Sequence, residues 1–191
     1  ANGDWRCPVD HLRDVIDTWR PERGGGVYHQ LRQSLDGMEW EYCVGVEHNS
    51  KGYGHVHVGV FVDGEITESD FHNVIDEHLR LCDIAHRDAH NYYHPDSDKK
   101  PISVRRIDPG LDPEDYDGSD DVVGNVASYL AEYIGASADS ELFDLSPEEL
   151  YFRAACWASG TQRVRFSTGA NEMIRQDCDK RRRIEAVGPV N

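Results

Sequence analysis

The chain has 191 residues with 36 acidic against 20 basic side chains, a formal charge of −16, and that length suits one domain able to bury a core without staples. Its five cysteines (Cys7, Cys43, Cys82, Cys156 and Cys178) are scattered and odd in number, which argues against a disulfide framework or a zinc ribbon and for a reducing cytoplasm. No apolar run could span a bilayer and no signal-peptide pattern is present; lacking an initiator Met, the chain reads as an excised segment of a longer protein.

In chain order, Pro8 stands at a first helical position and Val9, Leu12, Val15, Ile16 and Trp19 follow at helical spacing, so an amphipathic helix is predicted over 8–19. Pro21 and Gly24-Gly25-Gly26 end it, and a second short helical piece is predicted over 27–35 before Gly37. Trp40, Tyr42, Val44 and Val46 alternate along a strand over 39–47. Residues 49–54 have turn composition and residues 55–62 read as a second strand, so 39–62 form a hairpin. Thr67 or Ser69 caps a helix carrying Phe71, Val74, Ile75, His78, Leu79 and Cys82. A His-rich loop follows, then a short strand over 101–107 and an acidic loop over 108–121. Helices are predicted over 122–134, 146–158 and 171–183, the second opened by the capping signature Ser146-Pro147-Glu148-Glu149, with a strand over 162–167 between the last two.

The charge has its own pattern. Only four basic residues are Lys, and Asp outnumbers Glu by 22 to 14, which points to a salt-filled halophilic cytoplasm. An acidic chain is ordinarily a poor partner for nucleic acid. At ~1 M salt, however, the Debye length is ~3 Å, so long-range repulsion is screened and the counterion-release gain that drives binding in dilute salt fades as well. A grip on DNA would then rest on stacking, direct hydrogen bonds and metal bridging.

One constellation carries chemistry. Side chains alternate across a strand, so His55 and His57 share a face while Val56 and Val58 take the other. In a hairpin centred near Lys51 or Gly52, Glu47 falls opposite His55 or His57, where facing Cβ atoms are ~4.5 to 5.5 Å apart. Gly52 and Gly54 are read as leaving room for a ligand. Two imidazoles and one carboxylate suit Mn²⁺ or Mg²⁺ first and Co²⁺ or Zn²⁺ next, with positions open for phosphate and water. A His-x-His pair by itself reads more readily as structural or merely exposed, and the facing acid reverses that. Tyr129 and Tyr133 are four apart on the predicted helix and share a face. They read either as rim residues of the stripe Val122, Val126, Leu130 and Ile134, or as nucleophiles whose phenol, with pKa ~10, needs a metal or base to lose its proton.

In this order, these residues resemble the HUH endonuclease superfamily, in particular the rolling-circle replication initiators (Rep proteins) of plasmids and viruses. His55-Val56-His57 is similar to its His-hydrophobic-His motif, Tyr129-Leu130-Ala131-Glu132-Tyr133 to its two-tyrosine motif, and Glu47 stands where some relatives place a third ligand; the likeness covers about residues 39–135. The resemblance implies an α+β fold, a ferredoxin-like or RRM-like antiparallel sheet with helices packed on one face and the His pair on a central strand. It would be a single nuclease domain over 1–191, with its core at about 8–135 and an extension over 146–191.

The resemblance also implies a divalent metal held by His55, His57 and Glu47. The reaction would be nicking and joining of single-stranded origin DNA by Tyr133 or Tyr129, through a 5′-phosphotyrosine link and a free 3′-OH, with Tyr133 favoured to act first. Its partners would be origin DNA and the host replication machinery or a helicase, not a membrane. A transposase or relaxase of the same chemistry, or a non-catalytic DNA-binding or metal-binding module, are the alternatives. Arg105, Arg106, Arg163 and Arg165 at strand positions are candidates for phosphate contacts, and Tyr53 for base stacking. His86, His90 and His94 read as a solvated loop rather than a second metal site.

Overall fold

The computed structural model describes residues 6–96, 99–107, 122–123 and 144–175. Its centre is the predicted hairpin, β1 (Glu39–His48) and β2 (Gly54–Asp63), paired in antiparallel register from Glu39 with Asp63 to His48 with Gly54. The connection is fixed by Asn49, whose side-chain oxygen accepts from the amides of Lys51 (2.9 Å) and Tyr53 (3.2 Å), the Asx-type turn that Asn favours.

The register gives each face its composition. Trp40, Tyr42, Val44 and Val46 pair with Val62, Val60, Val58 and Val56 on one face, and all the labelled helices cover that face. At one end α1 (Pro8–Asp17) and α4 (Pro147–Ser159) bring Leu12, Phe152, Ala155 and Cys156 onto Val46. At the other, α2 (Val27–Ser34) and α3 (His72–Leu81), with the 3₁₀ turn Glu68–Phe71 before it, bury Val27, Leu31, Leu35, Phe71 and Val74 beside Trp40, Val60 and Val62. Both predicted capping sites operate. Thr67 and Asp70 form a reciprocal box, and Ser146 accepts from the amide of Glu149 at 3.2 Å.

A third strand, β5 (Val164–Phe166), pairs antiparallel with β1 on the side away from β2, giving the order β2-β1-β5. The fold class is α+β, as expected. Among the described residues, however, the His-bearing strand β2 is an edge strand and the Glu-bearing β1 is central, which corrects the expectation of a central His pair. A helical segment at 168–175 lies on the opposite face, where the amide of Ala170 donates to the Glu41 carboxylate at 3.3 Å.

Three further expectations need correction. Of the strand predicted over 101–107 only β3 (Arg106–Ile107) is regular, and it pairs in parallel with β4 (Val122–Val123). The latter residues stand at the start of the predicted tyrosine helix, over 122–134. Two adjacent β-branched valines are stiff at χ1 and fit a ladder better than a first helical turn. Gly52 and Gly54 do not make room for a ligand either. A Cβ at Gly52 would stand 3.0 Å from the carbonyl oxygen of Glu148, and one at Gly54 2.7 Å from Cδ1 of Leu12. These glycines let the hairpin close against α4 and α1.

Gly52 also has φ +78°, so Gly52→Ala adds steric crowding to left-handed backbone strain. It should lower stability by about 1 to 3 kcal/mol. Gly37→Ala is the internal control, with φ +81° and nothing within 4 Å of the added Cβ; in denaturant melts the Gly52 variant should lose more. Equal losses would mean that the contact with α4 contributes nothing.

Candidate functional site

Glu47 is the register partner of His55, and Gly45 that of His57. All four positions therefore lie on the face opposite the valines, and the missing side chain at Gly45 leaves the Glu47 carboxylate room to lean towards His57. Its Oε2 stands 3.5 Å from Nε2 of His57. The rings of His55 and His57 are stacked, with centres 4.6 Å apart and planes within 6°. The carboxylate thus touches one imidazole and acts electrostatically on the other, with about a third of the Glu47 and His57 side chains exposed (32% and 38%). Among the described residues no three His, Cys, Asp or Glu side chains stand already converged as a coordination sphere.

The electrostatics favour neutral forms. Burial pushes the pKa of His55 down, helped by the neighbouring His57, and burial also lowers that of His57. Burial raises the Glu47 carboxyl, against the pull of His55, Arg163 and His48. Neutral imidazole is the metal-ligating form. A donor set of two such rings and a partly desolvated carboxylate is chemically suited to a divalent cation, whose charge would offset the cost of burying the carboxylate.

The remaining candidates separate. Tyr129 and Tyr133 lie outside the described residues. Tyr53 donates its hydroxyl to the carbonyl oxygen of Arg6 at 3.1 Å and packs 4.9 Å from the His11 ring, so it ties the chain start to the hairpin. Val164 and Phe166 pair with Gly45 and Cys43 on the His-bearing face. By alternation Arg163 and Arg165 belong to the helix-covered face, so neither shares the face of the His pair. Arg163 lies over the Phe152 ring (5.4 Å) and 3.8 Å from Glu149. Arg106 is exposed on β3, and Arg105 beside it meets Ser103 at 3.4 Å.

Sequence reasoning missed Glu149. It is only 5% exposed, stands 2.7 Å from Nε2 of His48 and accepts from Nε of Arg153 (2.7 Å). This joins the end of β1, one residue from Glu47, to α4 and to the approach of β5. In sequence Glu149 looks like an ordinary acidic first-turn residue, and nothing marks it as buried.

The fold and this face define an α+β protein with a two-histidine, one-glutamate hairpin. The chain belongs to the family described as "Putative rep protein (DUF1424)", which matches residues 1–190. It is similar to an "Uncharacterized 36 kDa protein" of Halobacterium salinarum, 34% identical over 177 residues, covering 93% of this chain and 52% of that one. A protein of the same description from Halobacterium sp. (strain GN101) is 33% identical over 191 residues, covering 96% and 55%. The chain therefore spans about half the length of these relatives. Their hosts agree with the halophilic signature of the composition. No solved structure matches. No helix among the described residues is long and apolar enough to cross a membrane.

Proposed function

We propose that the chain is the nuclease part of a replication initiator of the HUH type, which nicks and rejoins single-stranded origin DNA to start rolling-circle replication. The observation that carries this reading is the hairpin register that puts Glu47 opposite His55 and within 3.5 Å of His57, in a chain whose family is described as Rep.

His55, His57 and Glu47 would hold a divalent ion, Mn²⁺ or Mg²⁺ in preference to Co²⁺ or Zn²⁺. Such an ion supplies Lewis-acid polarisation of the scissile phosphate. Glu47 anchors it electrostatically from the central strand while the two imidazoles, kept neutral by burial, offer lone pairs from the edge strand. Tyr133 or Tyr129 would attack phosphorus through its phenolic oxygen. The phenol loses its proton, the bond from phosphorus to the 3′ oxygen breaks, and that oxygen takes up a proton to become the free 3′-OH. The 5′-phosphate remains esterified to the tyrosine, and reversal on a new 3′-OH rejoins the strand. Partners would be origin DNA and the host replication machinery or a helicase, in a cytoplasm of high salt.

The test is incubation with Mn²⁺ and a pool of single-stranded oligonucleotides in high salt, followed by denaturing electrophoresis. A protein-DNA adduct lost on chelation supports the reading. Intact DNA and no adduct across metals, with metal binding preserved, would favour a metal-binding module of the same fold. The pH dependence of Mn²⁺ affinity adds a check. Because the folded imidazole pKa values lie below the ordinary ~6.5, the ligating forms persist there, and affinity should be flat at higher pH and fall only as acid passes through the lowered values. A midpoint at or above ~6.5, measured by calorimetric titration across pH, would argue against these imidazoles as ligands.

A further inference from the structure

We propose that His78 on α3 and His90 in the 3₁₀ turn Arg87–His90 form a second site, which takes an imidazole-preferring divalent transition metal ion such as Ni²⁺ or Zn²⁺ through their Nε2 atoms. Their ring centres are 5.1 Å apart with planes at 47°. Two imidazoles on one tetrahedral ion at ~2.0 to 2.1 Å have ring centres about 5 Å apart, so the pair already has the spacing of ligands.

The hydrogen bonds fix the tautomers. The hydroxyl of Thr18 donates to the carbonyl oxygen of Val15 at 2.8 Å, which uses its only proton. Its contact with Nδ1 of His78 at 3.0 Å must then be a bond in which His78 donates. Nδ1 of His90 lies 2.9 Å from the carbonyl oxygen of His86, which can only accept. Both rings are therefore Nδ1–H tautomers, and each carries its lone pair on Nε2, for which the described residues provide no partner. A ligating histidine ordinarily shows this arrangement, its far nitrogen donating to an oxygen that orients the ring. Burial also keeps His78 neutral, with its pKa lowered to about 4. Water would complete the sphere. The hairpin set is made of other residues, and His90 stands within electrostatic reach of His55.

The site was hidden in sequence because its ligands come from different elements, twelve residues apart. The nearer grouping, His86 with His90 and His94, does not assemble: His86 gives only its carbonyl, and Nδ1 of His94 accepts from the amide of Asp96 at 3.0 Å.

The experiment is calorimetric titration of the protein with Ni²⁺. An equivalent should bind that survives His55→Ala plus His57→Ala and is weakened at least ~10-fold by His90→Ala, a change in an exposed turn that spares the core. Thr18→Val should weaken the same equivalent ~10 to 100-fold, the scale of second-sphere loss. Nitrogen-15 histidine spectra should show Nδ1–H tautomers at 78 and 90 before metal and a shift of both Nε2 signals on adding Zn²⁺. An unchanged titration of His90→Ala, or Nε2–H tautomers at these positions, would overturn the proposal. So would disappearance of all Ni²⁺ binding in the His55/His57 variant. Failure of the hairpin reading is distinguishable, since it would leave the His90-dependent equivalent in place.

Discussion

Replacing Tyr129 and Tyr133 together by Phe should abolish the covalent DNA adduct while leaving Mn²⁺ affinity and oligonucleotide binding within a factor of about two of the unmodified protein. The loss of nicking should be on the order of 10⁴-fold or more, the scale on which deleting a covalent nucleophile acts. Phe keeps the ring and its packing and removes only the oxygen that would bond to phosphorus, so a purely structural role for the tyrosines predicts no loss of activity. The single variants separate their duties. Tyr133→Phe should suppress the first cut more than Tyr129→Phe, with the other tyrosine acting later on the displaced strand. If the double variant still forms an adduct stable to denaturant, the nucleophile is another residue and the two-tyrosine reading falls, whatever becomes of the metal.

The second large effect is on stability. Glu149 is buried and stands 2.7 Å from both His48 and Arg153, and Arg163 stands at 3.8 Å. Glu149→Ala removes the buried carboxylate that both guanidinium groups face. Breaking a buried network by removing one partner costs about 3 to 5 kcal/mol. In a chain of this size each kcal/mol shifts the melting temperature by ~2 to 4 °C, so the expected drop is on the order of 10 °C. Because the group is buried, the loss should persist in molar salt. An exposed pair such as Glu77 with Arg80 should contribute little there, since salt screens it. Glu149→Gln, which keeps an accepting oxygen, should fall between. A thermal melt showing Glu149→Ala unchanged at high salt would mean that the arginines find other partners. A drop accompanied by weaker Mn²⁺ binding would show that the network also holds the end of β1, and hence Glu47, in place.

Much of the candidate site was legible in the chain because it is local. The spacing of Glu47 and His55 across a turn of known composition is enough to place them opposite each other once the hairpin forms. Strand alternation does the rest for His57. The caps at Thr67 and Ser146 and the helices over residues 8–17 and 27–34 were equally readable, since each depends on contacts within a few residues. The valine pair at 122–123 was misread because its apolar spacing continues a helical stripe, whereas its partner, β3, lies about fifteen residues earlier and could not be inferred from local pattern.

The sequence by itself determined the hairpin, its two faces, the identity of the three facing donors and the acidic surface suited to salt, because period, turn chemistry and composition are properties of neighbouring residues. Only the tertiary structure decided which side of the hairpin is an edge among the described residues, that Gly52 and Gly54 serve helix packing, and that Arg163 turns to a buried glutamate. It alone brought the rings of His78 and His90 together. Those outcomes depend on which distant elements meet, and on where a carbonyl or a hydroxyl lies relative to a ring, neither of which is encoded in spacing along the chain.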